Sequence, residues 1–190
     1  MVLKDVDGFT QPSFGARNRI GRAVWGVVWL LLFRPSPKPM HAWRAMLLRL
    51  FGAQLGRDVH CYPAVKIWAP WQLVVGNRVG IANGVTLYNM APMSIGDNVV
   101  ISQGAHLCGG SHDINSGNFQ LIARPIKVER YCWICADAFI GHGVQIAEGC
   151  VVGARSVVLR SISEPWTVWS GHPAINVRSR SLNILQGSAS

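Results

Sequence analysis

The chain has 190 residues, of which 49% are apolar and 14% are charged, and its formal net charge is +9. This length is sufficient for one sizeable hydrophobic core, and the low charge content indicates that further surface is buried by self-assembly. A basic chain can bind nucleic acid, but the sequence has neither a recognition motif nor interleaved basic and aromatic residues. We therefore expect no nucleic-acid partner.

Residues 1–56 predict a helical arm that is both basic and apolar. The first 57 residues hold nine Lys or Arg against only Asp5 and Asp7. The uncharged run AVWGVVWLLLF at 23–33 has eleven residues, whereas a bilayer span needs about twenty. No small-residue cleavage site follows the run, so we expect neither a membrane span nor export.

A second apolar segment, at 41–51, places its large side chains at helical spacing with Arg44 and Arg49 between them. Both predicted helices can pack on the rest of the molecule and on a neighbouring subunit. They can also lie as a basic interfacial pair against the inner membrane surface. The two roles are compatible, and the sequence leaves both open.

After residue 57, aliphatic residues recur at intervals of six. A period of six fits neither a helix nor an ordinary strand, so the chain must turn a corner after each short strand. Three hexads close one coil, and stacked coils pair as parallel strands. We therefore predict a mainly β fold, a three-sided parallel solenoid of about five coils over 57–160, followed by a short tail at 161–190. The aliphatic positions are Val59, Val65, Val75, Ile81, Leu87, Ile95, Ile101, Leu107, Val128, Ile134, Ile140, Ile146, Val152 and Val158.

Two further features of the repeat have structural consequences. The residue after the aliphatic is often small, as at Gly76 and Gly96, and we expect it to face a narrow interior. The rhythm breaks with steps of ten from Val65, eight from Leu87 and twenty-one from Leu107. All three breaks fall at one corner of the prism. Because loops on a rigid scaffold carry function, we predict a site at this edge, built around the long loop at 108–127.

Five cysteines occur without a secretion signal, which indicates a reducing compartment and a cytoplasmic protein. Cys132 and Cys150 are eighteen residues apart, so we expect them to stack in adjacent coils as small apolar fillers. Cys132 and Cys135 form a CxxC pair, but no second pair lies at ligand spacing. The pair therefore predicts a structural role for these cysteines and not a zinc site.

Several segments resemble the hexapeptide-repeat acyltransferases of the left-handed parallel β-helix class, and the resemblance covers nearly the whole chain. Within that class the chain is most similar to the maltose and galactoside O-acetyltransferases, and closest to the colanic acid biosynthesis acetyltransferases of exopolysaccharide clusters. The repeats alone are shared with nucleotidyltransferase tails and γ-class carbonic anhydrases. The long loop with SHD, followed by a Trp that opens the next coil, is more specific. The similar segments are LLLFRPSPKPMHAWR, LRLFGAQLG, KIWAPW, SIGDNVVISQGAHLC, SHD and PWTVWSGHPA.

The resemblance implies an O-acetyltransferase that uses acetyl-CoA, acts on a sugar or lipid-linked oligosaccharide, and forms a homotrimer. A hydroxyl is a weak nucleophile until a base removes its proton, and an imidazole suits that task near neutral pH. By the family match, His112 in the long loop is the general base. A backbone carbonyl or Asp113 is expected to orient its other ring nitrogen.

Acceptor contacts are expected from Asn83 and Asn89, whose amides can bind sugar hydroxyls. Trp68 and Trp71 can stack on a pyranose ring or pack between subunits, and both roles stay open. We also expect the imidazole at 112, the indole at Trp133 and the amide at Asn89 to share one edge of the prism.

The resemblance places the acyl donor along the later coils. Trp133 is expected to pack on the pantetheine arm, and the backbone at Ala136 and Ala154 to hydrogen-bond it. Arg160 and Arg178 are candidates for the phosphates. The chain departs from the family at Ile175, where a basic residue is usual.

Two other functions are weighed against the transferase. One is a non-catalytic scaffold subunit of a glycan-synthesis complex. The other is a metal protein like the γ-class carbonic anhydrases, using His106, His112 and His142. The close-set histidine pair of that class is not reproduced here, so we expect no metal.

Overall fold

The computed structural model describes residues 13–181. The start of the predicted arm, 1–12, and the end of the predicted tail, 182–190, lie outside these residues. Helix α1 (Ala16–Val28) continues into a π-helical turn (Trp29–Phe33), and α2 (His41–Leu50) follows. The strands are β1 (Gln54–Leu55), β2 (His60–Cys61), β3 (Lys66–Ile67), β4 (Leu73–Val75), β5 (Gly80–Ile81), β6 (Thr86–Tyr88), β7 (Met93–Ile95), β8 (Val100–Ile101), β9 (His106–Cys108), β10 (Gly110–His112), β11 (Leu121–Ala123), β12 (Ile126–Val128), β13 (Trp133–Ile134), β14 (Phe139–Ile140), β15 (Gln145–Ile146), β16 (Val151–Val152), β17 (Val157–Val158), β18 (Thr167–Gly171) and β19 (Ala174–Ser179).

Three parallel sheets form the three sides of a solenoid. The first sheet runs β1-β4-β7-β12-β15, the third runs β3-β6-β9-β14-β17, and the second, which contains β2, β5, β8, β13 and β16, ends with β18 and β19. Five full coils result, and a bridge from Ile146 to Ile162 together with β18 begins a sixth. The predicted three-sided parallel solenoid is confirmed. Pairing starts at Gln54, inside the predicted arm, and continues past residue 160.

The aliphatic positions stack in register and are buried, as predicted, from the second coil onward. In the first coil the predicted register, with Val59 and Val65 in the aliphatic column, is wrong. That column holds Leu55, Cys61 and Ile67, which pair with β4, β5 and β6. The valines lie two residues earlier and are also buried. A buried cysteine fills one column position here, which a search for aliphatic residues does not find.

All the breaks in the repeat lie at the corner between the third and first sheets, as predicted. With the corrected register, the first break is the eight-residue step from Ile67 to Val75, equal to the step from Leu87 to Ile95. The long break contains β10 and β11, which pair with each other and with no solenoid strand. The solenoid therefore presents one inserted element at one corner.

The arm packs on the first coil through aromatic anchors and a buried cation. Trp25 Nε1 donates to the carbonyl of Ile67 at 2.8 Å, and Trp29 Nε1 donates to that of Val65 at 2.7 Å. Arg44 is fully buried, and its Nε donates to the carbonyl of Cys61 at 2.6 Å. Within residues 13–181, no helix combines the length and apolar character needed to cross a bilayer.

Cys132 and Cys150 occupy adjacent coils and are both buried, as predicted. Burial raises the pKa of the Cys132 thiol to about 12. All five cysteines are free thiols. These two side chains therefore act as small fillers of the core.

Because the ring of His106 is partly buried, we expect the free energy of unfolding to depend on pH. The ring lies between Tyr88 and Phe139, its Nε2 is buried, and burial lowers the pKa of His106. The native state thus favours the neutral ring, so its contribution to stability is complete above the ordinary pKa of about 6.5 and is lost as the pH falls below that value. We expect His106→Gln to flatten this loss in urea unfolding midpoints measured on either side of pH 6.5. Burial also lowers the pKa of His41, so part of the slope should remain. An identical slope in the wild type and the variant would contradict the expectation.

Candidate active site

The long loop is an ordered hairpin that projects from the corner between the third and first sheets. Strands β10 and β11 pair antiparallel, with His112 opposite Leu121. At its base, the N–H of Gly109 donates to the carbonyl of Tyr88 at 2.9 Å, and the N–H of Arg124 donates to the carbonyl of Gly109 at 3.0 Å. The hairpin is therefore tied to the solenoid through its own backbone.

A glycine, Gly110, lies where this hairpin leaves the solenoid, close to a side chain of the coil below. A Cβ at Gly110 would lie 2.3 Å from Sδ of Met90, which is buried in the coil below. Atoms do not approach so closely, so with a larger residue either the side chain of Met90 would have to shift or the hairpin would have to move outward. The Gly109-Gly110 pair thus allows the strand that ends in His112 to pass close to Tyr88 and Met90.

His112 is exposed, and its ring is oriented by a backbone carbonyl. Nδ1 lies 2.6 Å from the carbonyl oxygen of Phe119. A carbonyl can only accept, so Nδ1 carries a proton, and in the neutral ring the lone pair is then on Nε2. Phe119 has φ +47°, a left-handed conformation that is uncommon for a non-glycine residue.

Asp113 does not orient the imidazole. Its Oδ1 accepts the N–H of Asn115 at 2.9 Å, which closes the turn after His112. Of the two orienting groups that the sequence suggested, the carbonyl therefore has this role in the structure. Phe119 was not singled out, because a main-chain contact leaves no mark on residue type.

Trp133 lies on the outer face of the second sheet, with 47% of its surface exposed. Its Nε1 donates to the hydroxyl of Ser102, one coil below, at 2.9 Å. Val100 pairs beside it and is equally exposed. The hydrogen bond to Ser102 holds the ring of Trp133 in place. Trp133 and Val100 therefore form an exposed apolar surface that a ligand can reach.

Ala136 and Ala154 lie one above the other at the corner between the second and third sheets. The N–H of Arg155 donates to the carbonyl of Ala136 at 2.8 Å, which joins the two coils. Neither alanine carries a side chain that would block access to the backbone. This corner is next to Trp133 along the same coil.

A cleft of about 580 Å³ lies at the C-terminal end of the solenoid and is lined by Arg160, Ser161, Trp169 and Ile175, among others. Arg160 is the cation in this lining. Arg178 is exposed on β19 but does not line the cleft. The neighbouring Arg180 holds the tail down, because its Nη1 donates to two carbonyls of the fourth and fifth coils at 2.7 Å.

Asn89 is not available as an acceptor contact. The residue is fully buried. Its Nδ2 donates to the carbonyl of Ala69 at 2.7 Å, and its Oδ1 accepts the N–H of Ala69 at 3.0 Å. The amide thus satisfies a buried backbone that the corner insertion leaves unpaired. We therefore withdraw Asn89 from the candidate site.

Asn83 is partly exposed at the corner between the second and third sheets, where its Oδ1 accepts the N–H of Ala64 at 3.1 Å. Trp68 is packed against the arm, with the guanidinium of Arg22 4.3 Å from its ring centre. Trp71 contacts the arm at Gly21 and Gly52. The two indoles therefore pack within the chain.

The three groups expected at one edge do not share it within one chain. His112 projects from the corner between the third and first sheets, whereas Trp133 lies on the second sheet and Asn89 is internal. The chain has already turned a corner after β12 when it reaches Trp133, which explains the difference. No set of three His, Cys, Asp or Glu residues within 13–181 is placed to hold a metal ion.

Comparisons with known proteins identify relatives of the chain. Residues 125–160 match the family described as Bacterial transferase hexapeptide (six repeats). The chain is 41% identical over 179 residues to WcaF of Escherichia coli (strain K12), named as an acetyltransferase of colanic acid biosynthesis, and the match covers 94% of this chain and 98% of WcaF. It is 26% identical over 138 residues to the galactoside O-acetyltransferase of the same strain, covering 71% of this chain and 68% of that enzyme.

A solved structure extends the likeness to three dimensions. A hexapeptide-repeat-containing acetyltransferase of Vibrio cholerae O1 biovar eltor, complexed with acetyl coenzyme A, superposes with a TM-score of 0.80 at 28% identity. The superposition covers 88% of this chain and 91% of that one. The likeness therefore includes parts of the chain outside the repeats.

Proposed function

The chain belongs to the hexapeptide-repeat acetyltransferases, and we propose that it moves the acetyl group of acetyl-CoA onto a sugar hydroxyl, with His112 as general base. The likeness to WcaF over nearly the full length of both chains supports a role in exopolysaccharide synthesis resembling that of colanic acid. The complex of the Vibrio relative supports acetyl-CoA as the donor. The unpaired thiols suit a cytoplasmic enzyme.

The orientation of the His112 ring by a backbone carbonyl is the observation that carries this proposal. With the proton of Nδ1 engaged by Phe119, Nε2 can take the proton of the acceptor hydroxyl as its oxygen attacks the thioester carbonyl. The tetrahedral intermediate then expels the CoA sulfur, which receives the same proton from Nε2. The products are the acetyl ester and free CoA, and His112 returns to its starting state without an acyl-enzyme.

We further propose that the complete site forms between two copies of the chain in a homotrimer. His112 on the hairpin and Trp133 on the second sheet lie on different sides of one solenoid. A neighbouring copy can bring its hairpin over the exposed Trp133 and Val100 surface. The exposure of that apolar surface in the single chain supports this arrangement.

In this arrangement Trp133 packs on the pantetheine arm, and the backbone at Ala136 and Ala154 hydrogen-bonds it. Arg160 in the C-terminal cleft binds phosphate, with Arg178 as a second cation nearer the tail. Asn83, at the same corner two coils below Ala136, offers its amide nitrogen to an acceptor hydroxyl. Trp68 and Trp71 are left out of the acceptor site, because both pack against the arm.

We expect Trp133→Ala to weaken CoA binding about tenfold, because the aromatic contact that the bound pantetheine arm would cover is lost. Trp133→Phe keeps an aromatic ring while losing the bond to Ser102, so it should fall between the wild type and the alanine variant. Calorimetric titration with CoA measures both. Equal affinity in all three proteins would remove Trp133 from the donor site. Absence of any CoA binding by the wild type would favour the scaffold function.

The acceptor class is tested by mass spectrometry. Purified protein is incubated with acetyl-CoA and either free sugars or extracted lipid-linked oligosaccharides. We expect a gain of one acetyl group on an oligosaccharide hydroxyl, stable to conditions that cleave thioesters. An acetyl group found only on amines would contradict transfer to a hydroxyl.

A further inference from the structure

Helix α1 and its π-helical turn expose a long apolar stripe, here called the outer stripe. Ile20, Val24, Val27 and Leu31 are spaced four, three and four residues apart, which places them on one helix face. Leu30 and Leu32 widen the stripe along the π-helical turn. The members are between 45% and 64% exposed.

The opposite face of the same helix is fixed to the solenoid. Trp25 and Phe33 are buried, and the indoles of Trp25 and Trp29 donate to carbonyls of the first coil. The guanidinium of Arg22 stacks on Trp68. The helix cannot roll to bury the outer stripe without breaking these contacts, so the stripe is held toward the outside.

Cations border the outer stripe at both ends, and no acidic residue accompanies them. Arg17 and Arg19 precede it, Arg34 and Lys38 follow it, and all four are exposed. The sequence has no Asp or Glu from residue 13 to residue 57. Two copies packed face to face through this stripe would bring like charges together without compensation, which disfavours a two-fold self-interface here.

We infer that the outer stripe docks on an anionic lipid surface. A helix with one apolar face, basic flanks and one face held by protein has the features of an interfacial membrane helix. Its apolar side chains would enter the boundary of headgroups and acyl chains, while the arginines would meet lipid phosphates. The contact would keep the enzyme beside lipid-linked substrates, but it does not depend on acetyl transfer.

The test is co-sedimentation of the full chain with vesicles of phosphatidylcholine, with and without phosphatidylglycerol. We expect binding that requires phosphatidylglycerol and weakens with salt. The double variant Val27→Glu and Leu31→Glu should bind at least about tenfold more weakly, because two carboxylates enter the apolar face. Val177→Glu is the matched control, since Val177 is 52% exposed at the far end of the molecule, and it should bind as the wild type does.

A second variant guards against misfolding of the first. Arg19→Gln leaves the stripe intact and should lower binding to phosphatidylglycerol vesicles about fivefold. Circular dichroism and light scattering accompany each protein. The inference is overturned if the wild type does not sediment, if both variants bind as it does, or if the double variant changes the molar mass, since that result would place the stripe between copies of the chain.

Discussion

His112→Ala should lower kcat for acetyl transfer at least about a hundredfold, which is the usual contribution of a general base. The reason is local, because the carbonyl of Phe119 accepts the proton of Nδ1 and leaves Nε2 of the neutral ring to act as the base. Affinity for CoA should be unchanged, since the variant removes proton transfer and not the donor surface. Initial rates at saturating acetyl-CoA, together with calorimetric titration, measure the two effects separately.

His60→Ala serves as the matched control for this variant. His60 is also exposed, and it lies on β2 of the first coil, where its ring stacks on His41 of helix α2. Its loss should leave kcat close to that of the wild type. If His112→Ala retained full turnover while remaining folded, the assignment of the general base would be wrong.

Gly96→Ala should lower the free energy of unfolding by about 1–3 kcal/mol, the usual range for overpacking. A Cβ at Gly96 would lie 2.6 Å from the backbone nitrogen of Arg130 and 2.9 Å from the carbonyl carbon of Glu129. Backbone atoms cannot move aside as a side chain can, so the third and fourth coils must separate. Urea unfolding at constant protein concentration measures the change.

Gly26→Ala is the opposite case within the same chain. A Cβ there meets nothing within 4 Å, and the residue lies inside helix α1. Alanine should therefore raise the free energy of unfolding by about 0.5–1 kcal/mol, because it restricts the unfolded chain. Equal effects of the two substitutions would refute the steric explanation for Gly96.

The solenoid could be predicted because every coil needs a buried aliphatic residue on each of its three sides. One aliphatic residue every six fills each side of the prism, and the interruptions reveal the corner that carries insertions. The first coil was misread because Cys61 replaces an aliphatic residue in the column. The role of Gly96 was also misread, since it is small because the next coil approaches its backbone and not because it faces a narrow interior.

The candidate site could be predicted only in part. His112 is singled out because it stands in the one long insertion and matches the family motif, and its role as the base stays a prediction, whereas its orientation by a carbonyl is observed. Phe119 acts through its backbone, and Ser102 through a hydroxyl on a different coil. Neither contact corresponds to a motif or a spacing that could be recognised in the sequence. Asn89 was misassigned because the position of an asparagine in the repeat does not show whether its side chain is exposed or buried.

The proposed site pairs His112 of one chain with Trp133 of another. Coexpression of His112→Ala and Trp133→Ala chains tests it most directly, at acetyl-CoA concentrations below KM. In random trimers one interface in four pairs both intact residues, so we predict about a quarter of wild-type activity. A site contained within each chain would instead give about one twentieth, the mean of the two single variants, and that value would contradict the claim.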